Sequence, residues 1–158
     1  AARRTVADLR AALPRLEIDV APELERAVRA ADIVTTAVPS REAFLEGAWL
    51  APGAHLDLIG SYRPDMHEAD ATALSRCTKF VDTRAGVLAE AGEFIDAIAL
   101  GQMSEDDIVA DLAELVAGAH PGRTSPEEIT LFKSVGTALE DLAAARLAVL
   151  GDSGRRVS

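Results

Sequence analysis

Residues 32–38 read Asp32-Ile33-Val34-Thr35-Thr36-Ala37-Val38, a run of mostly β-branched side chains. Successive side chains of a strand point to opposite faces of a sheet, and this run is apolar at both sets of positions. A strand of that kind suits a parallel sheet whose two faces are both covered. The stretch therefore predicts an α/β fold with a buried parallel strand at its centre.

The same alternation of strand and helix extends on both sides of this run. Strands are expected at 16–20, 32–38, 55–59 and 79–82, and helices at 3–13, 23–31 and 65–76. Strand, helix and strand in steps of about 25 residues are typical of a doubly wound parallel sheet. We therefore predict this architecture for residues 1–125 as one domain.

The chain after Asp82 is expected to be helical. Helices are predicted at 85–100 and 105–117, and a third over 126–151. Ser125 would cap that last helix, with Pro126 in its first turn and Glu128 placed for a capping box. Residues 152–158 are expected to form a frayed tail.

Composition narrows the classes of partner and compartment. The formal net charge of −10 argues against nucleic acid as a partner, because phosphate binding needs clustered Lys and Arg. Neither an apolar run of about 20 residues nor a signal-peptide pattern is present, so no membrane association is expected. The single Cys77 cannot form an internal disulfide, which fits a reducing cytoplasm.

The sequence gives little support for a metal site. His55, His67 and His120 are not at metal-ligand spacing, and we predict no metal site.

Lys133 would lie on the long last helix, seven residues before Glu140. There it would form a solvated ion pair or contact a ligand.

The glycine-rich turn of dinucleotide-binding sheets, G-x-G-x-x-G, does not occur, and the chain opens inside a predicted helix. Either the sheet does not bind a dinucleotide, or its front part precedes this sequence.

Four segments carry a family resemblance: 31–37 (ADIVTTA), 49–55 (WLAPGAH), 60–68 (GSYRPDMHE) and 128–141 (EITLFKSVGTALED). In this order and spacing they resemble the second half of the ornithine cyclodeaminase/mu-crystallin family, whose proteins are about twice as long. The resemblance implies a Rossmann-like domain that lacks its first strands and glycine-rich turn. It also implies that the last helix returns toward an absent half, which binds substrate and forms a homodimer.

The resemblance further implies a site for NAD or NADP and a small substrate derived from an amino acid. Cofactor contacts would come from Thr36, Ala37, Val38, Ile59, Gly60, Ser61, Tyr62 and Ser134, and a substrate contact from Val135. On the residues alone, Gly60 could equally be a turn that ends a strand, and Tyr62 a surface tyrosine.

Tyr62 points to the reaction. Ornithine cyclodeaminases carry an Asp at the matching position, and a phenol with a pKa near ~10 is a poor base at neutral pH. The Arg63-Pro64-Asp65 run is more similar to mu-crystallin and bacterial ketimine reductases, so we predict NAD(P)H-dependent reduction of cyclic ketimines, with Tyr62 as the catalytic candidate. Ornithine cyclisation, amino-acid dehydrogenation and non-catalytic ligand binding remain alternatives.

Overall fold

The computed structural model describes residues 2–153, with side chains up to residue 151. The helices are α1 (Ala2–Ala12), α2 (Leu24–Arg29), α3 (Ala71–Arg76), α4 (Arg84–Glu90), α5 (Gly92–Ala99), α6 (Leu112–Val116) and α7 (Ala138–Ser153). The strands are β1 (Ile33–Thr36), β2 (His55–Leu58), β3 (Thr78–Val81), β4 (Ile108–Asp111) and β5 (Thr130–Lys133). Short 3₁₀ turns lie at Gly47–Trp49 and Glu105–Asp107.

The five strands form one parallel sheet in the order β1-β2-β5-β3-β4. The chain crosses the sheet in one direction from β1 to β4 and then returns to place β5 between β2 and β3. Because such crossovers are right-handed, the connections before β4 cover one face, and α6 with the loop after it covers the other. The predicted doubly wound α/β architecture is therefore correct.

The core lies between the sheet and the helices α3, α4 and α5. Buried apolar side chains of the inner strands meet those of α3, α4, α5 and the loop before β2. Its fully buried members include Leu45, Leu56, Leu58, Val81, Val87, Phe94 and Leu131. This packing fixes the strand ends on which the candidate site is built.

Two polar side chains, the partly buried Asp70 and the buried Lys79, fix α3 against this core. The Asp70 carboxylate accepts from the backbone N–H of Ala73 at 2.9 Å, as an N-cap, and from that of Gly47 at 2.8 Å. Lys79 Nζ donates to the carbonyls of Leu74 and Cys77, at 2.7 and 2.9 Å, and so satisfies the other end of α3.

Two strand predictions need correction. Residues 16–20 form no strand, because a strand needs a hydrogen-bonded neighbour and no described strand lies beyond β1. For the same reason β1 is an edge strand rather than a buried one, and Ile33 is 68% exposed.

The prediction that strands stop after Asp82 is wrong. Part of the predicted helix 105–117 is β4, and part of the predicted helix 126–151 is β5, so α7 begins only at Ala138. Glu128 forms no capping box; its carboxylate instead accepts from the Thr124 N–H and, at 2.5 Å, from Thr78 Oγ1. The segment 126–137 therefore belongs to the sheet and its loops.

Other helix boundaries differ less. The helix predicted at 65–76 is confined to α3, and that at 85–100 is divided at Ala91 into α4 and α5. Within the predicted tail, α7 continues to Ser153, and residues 154–158 lie outside the described part. None of the described helices has the length and apolar character needed to cross a membrane.

Candidate functional site

The carboxyl ends of four neighbouring strands form one edge of the sheet. Thr36 pairs with Leu58, Leu58 with Lys133, and Lys133 with Val81 in the parallel register. The loops that follow these strands are therefore adjacent. All the residues predicted for cofactor and substrate from the sequence lie at this edge: Thr36 is the last residue of β1, and the others lie in the loops after β1, β2 and β5.

These predicted residues divide into exposed and buried members. Ala37, Val38, Ile59 and Tyr62 are exposed, and Tyr62 is 50% exposed. Thr36, Gly60 and Ser61 are buried. Thr36 Oγ1 is buried and has no hydrogen-bond partner among the described residues. A buried hydroxyl without a partner is unusual in a folded protein.

Glu68 joins the loop after β1 to the loop after β2. This fully buried carboxylate accepts from the Val38 N–H through Oε1 at 2.8 Å. Its second oxygen, Oε2, accepts from the N–H groups of Gly60 at 2.7 Å and Ser61 at 3.1 Å. Three backbone donors on one carboxylate hold the two loops at a fixed separation.

Gly60 is required by this arrangement. A Cβ at this position would lie 2.2 Å from the Val38 nitrogen and 2.4 Å from Glu68 Oε1. Val38 and Glu68 of the chain itself thus occupy the space that a side chain at residue 60 would need. The two loops touch because residue 60 has no side chain.

Ser61 is held by two further buried groups. Lys133 Nζ donates to its carbonyl and, at 2.7 Å, to its hydroxyl. The hydroxyl in turn donates to Glu93 Oε1 at 2.5 Å, which also accepts from the Glu68 N–H at 3.1 Å. Burial lowers the pKa of Lys133, and the negative charges of Glu93, Glu68, Asp82 and Asp57 oppose this shift.

Asp82 plays the same part between β3 and β5. Its Oδ2 accepts from Ser134 Oγ at 3.0 Å and from the N–H groups of Val135 and Gly136, both at 2.8 Å. Its Oδ1 accepts from the Thr83 N–H at 2.6 Å. The predicted Ser134 and Val135 therefore lie at the edge, in a turn that Asp82 fixes.

Glu68, Lys133 and Asp82 together connect the carboxyl ends of β1, β2, β5 and β3; we call them the edge clamps. This role was not predicted from the sequence. Lys133 was expected on the long last helix, as a solvated ion pair or a ligand contact. The helical position and the solvated ion pair are wrong, because Lys133 is fully buried on the central strand β5. The available signal was a Lys directly after the apolar pair Leu131-Phe132, at the end of a strand.

A separate cavity of about 220 Å³ lies nearer the amino ends of the strands. His55, Thr130, Arg123 and Phe132 are among its lining residues. His55 Nδ1 lies 2.7 Å from Thr130 Oγ1, and burial lowers the pKa of His55. This cavity contains none of the predicted site residues.

Comparison with known proteins finds relatives of this chain among imine reductases. Delta(1)-pyrroline-2-carboxylate reductase of Paracoccus denitrificans is 41% identical over 137 residues, which are 85% of this chain and 43% of that protein. Ketimine reductase mu-crystallin of Mus musculus is 37% identical over 131 residues, 83% of this chain and 39% of that protein. The chain thus spans less than half the length of these relatives.

One solved structure has the same fold as this chain. Delta(1)-pyrroline-2-carboxylate reductase of Thermococcus litoralis, in complex with NADH and L-proline, matches with a TM-score of 0.88 at 36% identity. The match covers 92% of this chain and 45% of that one. The Rossmann-like fold implied by the resemblance is confirmed, and the model of the ornithine cyclodeaminase/mu-crystallin family matches residues 1–150. The chain belongs to the ornithine cyclodeaminase/mu-crystallin family.

Proposed function

We propose that this chain is the dinucleotide-binding part of an NAD(P)H-dependent reductase of cyclic ketimines, such as pyrroline-2-carboxylate or piperideine-2-carboxylate. The observation that carries the proposal is the adjacency of Thr36–Val38 and Ile59–Tyr62 at the carboxyl ends of β1 and β2. Ligands of open α/β sheets bind outside the carboxyl ends of their strands. Similarity to a pyrroline-2-carboxylate reductase and to a ketimine reductase supports the choice of reaction.

The residues at this edge fit a dinucleotide. Thr36 Oγ1 is buried without a partner in the described part of the chain, so a ligand at this edge can supply the hydrogen bond that it lacks. Ala37, Val38 and Ile59 offer an exposed apolar surface beside it. The edge clamps fix the shape of the loops at Gly60, Ser61 and Ser134. When bound, the dihydronicotinamide supplies a hydride to the imine carbon.

Tyr62 is the group of this chain that we place nearest the reacting atoms. It is half exposed at the end of the β2 loop, and its phenol O–H can donate a hydrogen bond to the imine nitrogen. Such a donor suits imine reduction better than proton abstraction from ornithine, for which a carboxylate is the better base. Val135 would contact the substrate from the β5 loop.

The remaining parts of the proposal concern the longer protein. The groups that bind the substrate carboxylate would come from the part of its relatives that this chain does not span. We infer that the longer protein is a cytoplasmic homodimer. The exposed apolar side chains of α7, among them Leu139, Leu147 and Leu150, support a contact with that part.

The test follows NAD(P)H absorbance with piperideine-2-carboxylate. It uses two proteins side by side: the chain itself, and an extended protein in which the unmatched part of the Paracoccus reductase precedes it. We expect imine-dependent oxidation of NAD(P)H in the extended protein and none in the chain alone. Tyr62→Phe should lower kcat about tenfold or more, since a general acid contributes roughly 10²–10⁴-fold.

The other outcomes decide between the alternatives. If the extended protein folds and oxidises neither NADH nor NADPH, the reductase proposal is wrong. Release of ammonia from ornithine would then indicate cyclodeaminase chemistry. Dinucleotide binding without any turnover would indicate a binding protein.

A further inference from the structure

We propose that Glu68 is a positioning residue, which sets the separation of the loops after β1 and β2 and thereby the shape of the dinucleotide site. The proposal rests on the proposed function for the identity of the ligand. Its physical basis is the set of three backbone hydrogen bonds from Val38, Gly60 and Ser61 to one buried side chain.

Glu68 joins the two loops in a way that no sheet hydrogen bond replaces. The last paired residues of β1 and β2 are Thr36 and Leu58, so Val38 and Gly60 lie beyond the strand ladder. Their N–H groups lie within hydrogen-bonding distance of different oxygens of the same carboxylate, at 2.8 and 2.7 Å. The Ile59 N–H still donates to the Thr36 carbonyl at 3.0 Å, and beyond that bond the loops are held by this carboxylate together with their direct contact at Gly60.

The carboxylate itself is held from behind. The backbone N–H of Glu68 donates to Glu93 Oε1 at 3.1 Å, and its backbone carbonyl accepts from Phe44 and Leu45 at 3.1 and 3.0 Å. Glu68 is fully buried, so water does not compete for its oxygens. A group fixed at both its backbone and its side chain is suited to positioning others.

The chemistry of the side chain makes the role testable. Glu68→Gln has the same shape but keeps only one accepting oxygen, because the other becomes an NH₂ donor that faces an N–H group. It can therefore accept from the β1 loop or from the β2 loop, but not from both. Glu68→Asp keeps the charge and shortens the reach, and we expect it to fail in the same way.

A matched control lies at the opposite end of the sheet. The Glu128 carboxylate also accepts several hydrogen bonds, from the Thr124 N–H and hydroxyl and from Thr78 Oγ1. Glu128→Gln should therefore destabilise the chain, but it leaves the candidate site untouched. It separates loss of stability from loss of positioning.

The first measurement is amide hydrogen exchange on the 158-residue chain without cofactor. Exchange should be about tenfold faster or more in Glu68→Gln at whichever of Val38 and Gly60 has lost its acceptor, because a charge-assisted hydrogen bond is lost. Glu128→Gln should leave these two amides unchanged. Unchanged exchange in Glu68→Gln would overturn the clamp.

The second measurement is the affinity of the extended protein for NADH and NADPH. We expect Glu68→Gln to raise the dissociation constant and the apparent KM for the dinucleotide about tenfold, with a smaller change in the KM for the imine. An unchanged dissociation constant would overturn the positioning role and leave the proposed function intact. A wild-type extended protein that binds neither dinucleotide would sink the proposed function together with this role.

Discussion

The carboxyl edge of the sheet and the terminal helices α1 and α7 differ in how completely the chain satisfies its own side chains. At the edge, three buried ionisable groups each receive or donate several hydrogen bonds. In contrast, α1 buries no residue, and along α7 Leu142 and Leu147 are exposed by 56% and 71%. A helix with apolar side chains on every side is ordinarily buried. The chain thus makes its site loops by itself, whereas its terminal helices carry surface that other contacts would cover.

The largest expected effect comes from breaking the edge at Lys133. Lys133→Met keeps the size of the side chain but leaves the Ser61 carbonyl and hydroxyl without their donor. Removing one partner from a buried charged network costs about 4 kcal/mol. The free energy of unfolding, measured with urea, should fall by that amount. A loss below about 1 kcal/mol would mean that the edge is not held by this group.

A somewhat smaller loss is expected from overfilling the contact between the loops. Gly60→Ala places a Cβ 2.2 Å from the Val38 nitrogen, and that backbone cannot move without breaking its bond to Glu68. We expect a loss of about 3 kcal/mol in the free energy of unfolding. Gly151→Ala is the control, since no atom lies within 4 Å of its new Cβ. Equal stability of the two variants would contradict the tight fit at residue 60.

The amino end of the sheet should show an effect of pH on stability. Burial lowers the pKa of His55 below its ordinary 6.5, and Arg123 lowers it further while Asp57 opposes the shift. As the pH falls through 6.5, the unfolded chain binds a proton that folded His55 resists, so stability is lost down to the folded pKa. His55→Gln should remove this part of the slope in urea unfolding from about pH 7.5 to about pH 5. Identical slopes in both proteins would exclude His55 as the source.

The smallest effect on stability is expected for substitutions on α7. Its exposed apolar side chains predict a change in association instead. Leu142→Lys with Leu147→Lys should alter the free energy of unfolding by no more than about 0.5 kcal/mol, because both side chains face solvent. It should also reduce any self-association seen by sedimentation. The exposed Ala144→Lys adds a charge on the same helix and serves as the control. A large loss of stability in the double variant would show that α7 packs on the chain after all.

The sequence was most informative where the signal for structure is local. The apolar runs at β1, β2 and β3 were found because each strand is a continuous stretch, and together they were sufficient for the fold class. β5 was not found, because Ser125-Pro126 opens like a helix and the apolar spacing after it suits a helix as well. Only its neighbours β2 and β3, distant in sequence, make it a strand.

The candidate site could be placed on the fold to a similar extent. Its loops follow strands whose ends can be located from the sequence, and the family resemblance indicated which of these ends to assign to the cofactor. The clamps were missed because their partners are distant in sequence: Glu68 contacts residues 30 and 8 positions away, and Lys133 contacts one 72 positions away. A charged residue in a sequence is ordinarily assigned to the surface, and nothing local marks the exceptions.

Tyr62 is half exposed, whereas the two residues before it, Gly60 and Ser61, are buried. This difference affects how such a site can diversify over evolutionary time. Gly60 leaves no room for a larger residue, and the backbone N–H, carbonyl and hydroxyl of Ser61 are all engaged. Tyr62 follows them directly, with half of its side chain in solvent. Mutations can therefore accumulate at residue 62 without disturbing the frame that presents it. With Tyr62 in the proposed role, a lineage changes the chemistry offered at this site by exchanging one side chain while the adjoining loop stays constant.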